Sequence, residues 1–275
     1  MTGCRPILGV DGAHLKGAYL GILLTAVGKD RNNNIFPVAW AVVETESSET
    51  WCWFLELVRQ DVASVADVVT WVHEKDELTY MSDRQKGLLD AFSTVMPNVD
   101  TRYCCRHIWS HFKNKFPGIV YREHFWMAVR SSTRHHFNMH MEKIKAINVE
   151  AFNYLEKIPT CHWSRHAFST SSKYDMLLNN CCESFNNVLR EVRSKPILQL
   201  MEWIRRYVMS RSCAKREGLK KFIGLIMPSA VKMVNKGLEQ VTDVRLSQAD
   251  LHEFEVDHED DTYVVNLDKS EMQLQ

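Results

Sequence analysis

The chain has 275 residues, 45% hydrophobic and 25% charged, with 34 basic residues balanced by 34 acidic ones. That length accommodates one elaborate domain or two smaller ones, each with a substantial core. No run of about 18 apolar residues occurs, and Met1-Thr2-Gly3-Cys4-Arg5 lacks a signal peptide's apolar stretch, so an intracellular protein without a membrane span is expected. Eight cysteines without a secretory signal favour thiols or metal ligands over a disulfide framework.

Taken in order, Ile7 to Val10 is an apolar run ending in Asp11. Leu20 to Val27 and Ile35 to Val43 are β-rich runs joined by a turn-rich link, Gly28 to Asn34, which predicts a hairpin and three adjacent antiparallel strands. Ser47-Ser48 can cap a helix whose apolar positions Trp51, Phe54, Leu55, Val58 and Val62 follow the helical period. Such a crossover returns the next strand, Leu78 to Ser82, parallel to the first. The helix after it starts at Arg84 and stops before Pro97. Thr101 to His107 reads as a fifth strand.

From Ile108 the pattern turns helical, with aromatic groups at Trp109, Phe112, Phe116, Phe125 and Trp126, and it defines an all-helical insertion over 108–175. Trp109 and Trp163 read as core side chains. A further helix begins near Met176 with the stripe Leu178, Cys181, Phe185, Val188, Leu189 and Val192. Asn179, Glu183, Asn186 and Arg190 fall on a face opposite that stripe, with Asn180 and Asn187 beside them. Asn is a mediocre helix former, so something other than propensity places four of them there. Phe254 to Val256 and Tyr263 to Leu267 read as a terminal hairpin across His258-Glu259-Asp260-Asp261.

Charge is unevenly placed. Between Arg190 and Lys221 ten Lys/Arg face three acids, and an acidic cluster follows beyond Glu239. A basic surface able to track phosphates is therefore compatible with zero net charge. Asp83, at a strand–helix junction, reads by itself as an N-cap. Asp11 ends the first strand and Glu183 stands 100 residues after Asp83.

That order of Asp, Asp and late Glu on a strand-strand-strand-helix-strand-helix core resembles the RNase H-like nuclease core of DDE transposases. Five stretches are closer to one family: Asp11-Gly12-Ala13-His14-Leu15-Lys16-Gly17, Leu24-Thr25-Ala26-Val27-Gly28, Ser82-Asp83-Arg84-Gln85-Lys86-Gly87, Cys104-Cys105-Arg106-His107 and Asn179-Asn180-Cys181-Cys182-Glu183-Ser184-Phe185-Asn186. They resemble the plant Mutator-like element (MULE) transposases from about Gly9 to Leu267.

The resemblance implies an α/β fold with an RNase H-like mixed five-stranded sheet and flanking helices, interrupted by the helical insertion before the last catalytic helix. Residues 1–107 would form the first part of that core, 176–212 its completion, and 213–275 a helical extension and hairpin. It implies Asp11, Asp83 and Glu183 as a catalytic triad holding two Mg2+ or Mn2+ ions. Hard cations favour carboxylate oxygens, and like charges repel unless a metal neutralises them. Two such ions, about 3.5–4 Å apart, activate the attacking oxygen and stabilise the leaving one.

Asn179, Asn180 and Asn186 would support the triad. Arg84, Lys86, His107, Arg190 and Arg193 are candidates for DNA phosphate contacts. Cys104 and His107 match the family's Cys-x-x-His signature, with His111 one turn further. A zinc site would need further ligands, from Cys161-His162 or Cys181-Cys182.

The expected partners are DNA, as transposon ends and target, and further copies of the chain in the active assembly, in the nucleus and away from membranes. The family's N-terminal DNA-binding region and C-terminal SWIM zinc finger are not found in these 275 residues. A truncated product is therefore expected, with specificity for transposon ends in question. The alternatives are a transposase-derived DNA-binding or transcription regulator without catalysis, and a decayed gene fragment.

Overall fold

The run Ile7 to Val10 lies inside a longer strand, β1 (Cys4–His14), because Gly12, Ala13 and His14 continue the antiparallel ladder with β2 (Ile22–Asp30) past the aspartate. The computed structural model describes residues 4–18, 20–30, 32–66, 78–169, 175–239, 241, 244–258, 261–268 and 271–274. It divides into two units, Met1–Phe222 and Ile223–Gln275. Among the described residues no helix is long and apolar enough to cross a membrane.

In the first unit β3 (Ile35–Val43) pairs antiparallel with β2, while β4 (Thr79–Ser82) pairs parallel with β1 and β5 (Thr101–Tyr103) parallel with β4. The resulting mixed sheet has the order β3-β2-β1-β4-β5. Its two faces follow the two-residue strand period. Leu8, Val10, Leu24 and Tyr80 pack under α1 (Ser48–Ala66) and α2 (Lys86–Val95) with Trp51, Phe54, Leu55, Leu88 and Phe92. Ile7, Leu23, Val27 and Met81 pack under α7 (Asn180–Val188) and α8 (Ile197–Lys220) with Cys181, Cys182, Phe185, Leu200 and Ile204. Full burial of each large apolar side chain contributes about 1.5–3 kcal/mol before entropy is counted.

Besides β1, several boundaries differ from the sequence expectation, including β2, which spans Ile22–Asp30 where Leu20 to Val27 was expected. Helix α2 starts at Lys86, because Arg84 adopts φ 69° and cannot begin a right-handed helix. Its N-cap is Gln85, whose side chain accepts from Leu88 N–H at 2.7 Å, so Asp83 is not the cap. Strand β5 ends at Tyr103; Cys104 takes an extended N-cap conformation, and α3 (Cys105–Lys115) buries Cys105, Ile108 and Phe112 at helical spacing. Helix α7 begins at Asn180 and ends at Val188, and Val192 reaches the core from a short 3-10 turn. Ser47 does cap α1, accepting from Thr50 N–H at 3.2 Å while its own N–H donates to Thr50 Oγ1.

Helices α3, α4 (Ile119–Arg130), α5 (Arg134–Ile147) and α6 (Val149–Glu156) enclose their own core. Phe112, Phe125 and Trp163 stack, with Phe125 and Trp163 centroids 5.7 Å apart. Trp163 is fully buried and donates Nε1–H to the Ile158 carbonyl, the satisfied arrangement a core indole needs. Thr133 and Asn148 cap α5 and α6 through their side chains.

In the second unit α9 (Pro228–Leu238) precedes an antiparallel sheet of β6 (Val244–Gln248), β7 (Glu253–His258), β8 (Asp261–Asn266) and β9 (Glu271–Leu274). The expected hairpin is β7–β8, while β6 and β9 extend it on both sides. Residues 259–260 of its turn lie outside the described residues. Part of the positive charge on α8 is used internally: Arg205 and Arg206 share Glu202, and Lys215 pairs with Asp30 at 2.8 Å.

Candidate active site

The parallel pairing of β1 with β4 stops at Gly9–Met81, so Asp11 projects beyond it where the sheet opens. Asp83 follows the last residue of β4, and its Oδ1 accepts the Gln85 N–H at 3.3 Å in a tight turn. Burial pushes the Asp11 carboxyl up to about 7, and the charges of Asp83 and Glu46 push it the same way while His107 opposes them. Burial and then Asp83 likewise hold Glu46 above the usual carboxylate range, against the Trp51 indole bond. Crowded, part-buried carboxylates behave in this way because burial and like neighbouring charges both disfavour the ionised form.

Helix α7 docks over this end of β1. Asn186 Nδ2 donates to Asp11 Oδ2 at 2.7 Å, and Asn179 Nδ2 donates to the Val10 carbonyl at 3.1 Å. Asn179 is 2% exposed, so it does not lie on an open polar face as its helical angle suggested; as the N-cap residue it turns into the protein. Between these two amides stands Glu183. Its carboxylate is bound by Arg106, which also reaches Asn180 Oδ1 at 3.4 Å. The main charges acting on Asp11 are Asp83, His107 and Glu46, and Glu183 is not one of them. The structure thus brings Asp11 and Asp83 together and places Glu183 on the overlying helix, turned toward Arg106.

Close approach of α7 depends on Gly9. A Cβ there would lie 2.5 Å from Cys181 Sγ, 2.9 Å from Cys182 Sγ and closer still to Asn179 Oδ1. These neighbours are buried side chains with little room to yield. Gly9→Ala is therefore expected to cost about 1–3 kcal/mol, read as a lower urea midpoint at unchanged m-value.

Cys104 accepts the Asn179 N–H through Sγ at 3.4 Å, and its hydrogen bond to His107, helped by the Asp83 and Asp11 charges, raises the His107 pKa above its ordinary value. His162 instead stacks on Tyr103 and binds the Thr101 carbonyl, and Cys181 bonds Asn179 Oδ1. Among the described residues no three His, Cys, Asp or Glu side chains are gathered as a metal site.

Arg193 donates to the His14 carbonyl at 3.2 Å; burial lowers its pKa, and the Asp11 charge opposes this. Arg190 is near enough to disfavour the Arg193 charge. The Arg84 guanidinium lies over the Tyr103 ring at 5.5 Å, and Lys86, in the first turn of α2, is exposed. Positive φ in a non-glycine residue beside a site carboxylate stores about 1 kcal/mol or more. Arg84→Gly is expected to raise stability by roughly 0.5–1 kcal/mol in a denaturant titration, net of the greater freedom glycine has when unfolded.

Buried polar atoms without a partner recur here: Ser82 Oγ, Arg84 Nε, His107 Nδ1, Asn186 Oδ1 and Arg193 Nε. Buried polar groups are normally hydrogen-bonded, so each of these calls for a partner such as an ordered water or a ligand. Carboxylate and amide oxygens are the donor types a hard divalent cation favours, although the described side chains do not gather three of them as a metal site. Glu46 was not singled out from sequence, since Glu44-Thr45-Glu46-Ser47 reads as a polar linker and cap. The available signal was Trp51, a core indole needing an acceptor nearby.

The five-stranded mixed sheet, its flanking helices and the acidic group at the β1/β4 edge are compatible with an RNase H-like fold. Residues 7–111, less than half of the chain, match the MULE transposase domain. That span contains Asp11, Asp83, Cys104 and His107. No curated protein matches the sequence.

Proposed function

We propose that this chain is the catalytic core of a Mutator-like DDE transposase, cutting DNA phosphodiesters and joining the freed 3′ ends to target DNA in the nucleus as a homo-oligomer. The observation that carries the reading is the crowding of Asp11 and Asp83 at one sheet edge, inside the span that matches a transposase domain. Mg2+ or Mn2+, held by Asp11, Asp83 and Glu183, would when bound activate water or a 3′-hydroxyl and stabilise the departing oxygen.

The chain's own residues supply orientation and charge. Asn186 fixes the Asp11 carboxylate, and the Gln85 N–H fixes that of Asp83. Arg84, Lys86, Arg190 and Arg193 flank the acids and offer contacts to DNA phosphates. Glu183 joins the site by releasing Arg106, a side-chain rearrangement of exposed groups. Cys104 acts in this reading by holding the start of α3 against the start of α7, with His107 bonded to it.

One observation favours a second reading, a DNA-binding regulator without catalysis: the guanidinium of Arg106 already neutralises Glu183. Nicking of supercoiled plasmid by the full chain with Mg2+ or Mn2+ separates the two. Cleavage that disappears with chelator and with Asp83→Asn supports the transposase. No cleavage, or equal cleavage by Asp83→Asn, leaves the binding protein.

A further inference from the structure

Helix α8 runs along the sheet away from the edge that carries Asp11. Its start is pinned at that edge: Lys16 N–H donates to the Arg193 carbonyl at 2.9 Å, and a Cβ on Gly17 would sit 2.7 Å from the Ser194 carbonyl oxygen. Leu200 and Ile204 are buried against the sheet, and Tyr207 and Val208 pack beside them. Further along, Lys215 pairs with Asp30 at 2.8 Å. Asp30 ends β2 opposite Cys4, whereas Ile22 starts β2 opposite His14, beside the site. The length of β2 therefore puts roughly 27 Å between the two anchors, at about 3.4 Å per residue. The 24 residues of α8 span about 36 Å, close to one turn of duplex DNA.

The anchored side chains share one face of the helix, since positions 200, 204, 207, 208, 211 and 215 recur at helical spacing. Two cations on that face are used internally, Lys215 by Asp30 and Arg211 over the Tyr207 ring at 5.4 Å. The others, Arg205, Arg206, Arg216, Lys220 and Lys221, are exposed. Glu202 binds both Arg205 and Arg206, and Glu217 binds Lys220. Each carboxylate offsets one charge, so the outer surface keeps an excess of three. The helix dipole attracts Lys220 and Lys221 to the C-terminus, but that attraction is confined to the last turn and does not account for Arg205, Arg206 or Arg216. At the other end Arg193, held on the His14 carbonyl, continues the positive charge to the site.

We propose that the outer face of α8 is a phosphate-tracking rail for duplex DNA, carrying the duplex that flanks the acidic edge from Arg193 toward Lys220. The inference rests on the transposase reading for its partner and adds the path that the flanking duplex takes. Cations spaced along a straight rod match phosphates by charge and read no bases, so the rail accepts any sequence.

The test is anisotropy of a fluorescent duplex of about 30 base pairs, three helical turns, with the full chain in chelator across a range of salt. Arg206→Gln/Arg216→Gln/Lys220→Gln is compared with wild type and with Lys113→Gln/Arg122→Gln/Lys157→Gln, which removes the same charge from exposed positions in the helical insertion. Glutamine is a good helix former and the α8 positions are exposed, so melting temperatures are expected to stay within error of wild type. The α8 variant is expected to lose about ten-fold or more in affinity. Its slope of log affinity against log salt is expected to fall by about 2–3, since each lost phosphate contact removes about 0.9. The insertion variant, and the charge-keeping Arg206→Lys/Arg216→Lys/Lys220→Arg, are expected to bind as wild type does. Wild-type affinity and slope in the glutamine variant of α8 overturn the rail and leave the transposase reading standing. Equal losses in the insertion variant also overturn it, because net charge then sets the binding. Duplex binding that depends on α8 without any nicking supports the rail and removes the catalytic reading, and a wild type that binds no duplex overturns both.

Discussion

Asp83→Asn is expected to reduce metal-dependent DNA nicking by the full chain at least ~10³-fold, about 4 kcal/mol of transition-state stabilisation. The substitution is conservative for the fold. An amide oxygen still accepts the Gln85 N–H that shapes the turn, and Gln85 still caps α2. What changes is charge: the site loses one of its opposed carboxylates and, with it, affinity for a divalent cation. A second readout distinguishes this from misfolding. The Asp83 charge helps to raise the Asp11 pKa, so in Asp83→Asn the Asp11 carboxyl should titrate below its wild-type value of about 7. A downward shift of the Asp11 carbon resonance midpoint, with a melting temperature near wild type, places the lost activity in the site. Undiminished nicking ends the enzymatic reading.

How much of this was legible in the sequence depends on the range of the forces involved. Strands β1 to β4 could be read from their local apolar runs and α1 from its helical period, whereas β5, with no apolar run of its own over Thr101–Tyr103, was drawn too long. Asp11 was read as a strand end because the apolar run stops there, but ladder hydrogen bonds do not depend on side-chain polarity, and Gly12 to His14 continue the strand. Arg84 was read as the first residue of a helix because Asp83 before it read as the N-cap; the turn between β4 and α2 instead holds Arg84 in a left-handed conformation.

The excess of Asn on α7 pointed correctly to side chains with a tertiary task, and two of them bind β1 at Val10 and Asp11. Which partner each would find was not encoded locally, and neither was the pairing of Glu183 with Arg106, 77 residues apart. Glu46 was illegible for the same reason: only the crossing of α1 and α2 at Ser48 and Gly87 carries it to Asp83.

Asp11 also sets how stability should depend on pH. Its folded pKa of about 7 lies above the unfolded value of 3.8, so between those values the folded chain holds a proton that the unfolded chain has released. Stability from this group is full below about pH 4 and is lost progressively as pH rises to about 7, at up to ~1.4 kcal/mol per unit. His107, raised above its ordinary pKa, adds a loss of the same sign, since its charged form is the one favoured in the fold. Asp11→Asn removes the first contribution and weakens the second, because the Asp11 charge is one support of the imidazolium. The amide can still meet Asn186. In chelator, Asp11→Asn should therefore be more stable than wild type at pH 8 by roughly 2–4 kcal/mol, with the gap closing toward pH 4. Urea titrations across that range give the curve directly. Parallel wild-type and Asp11→Asn curves would mean that Asp11 ionises normally in the fold, and the crowded acidic edge on which the proposed function stands would lose its main physical support.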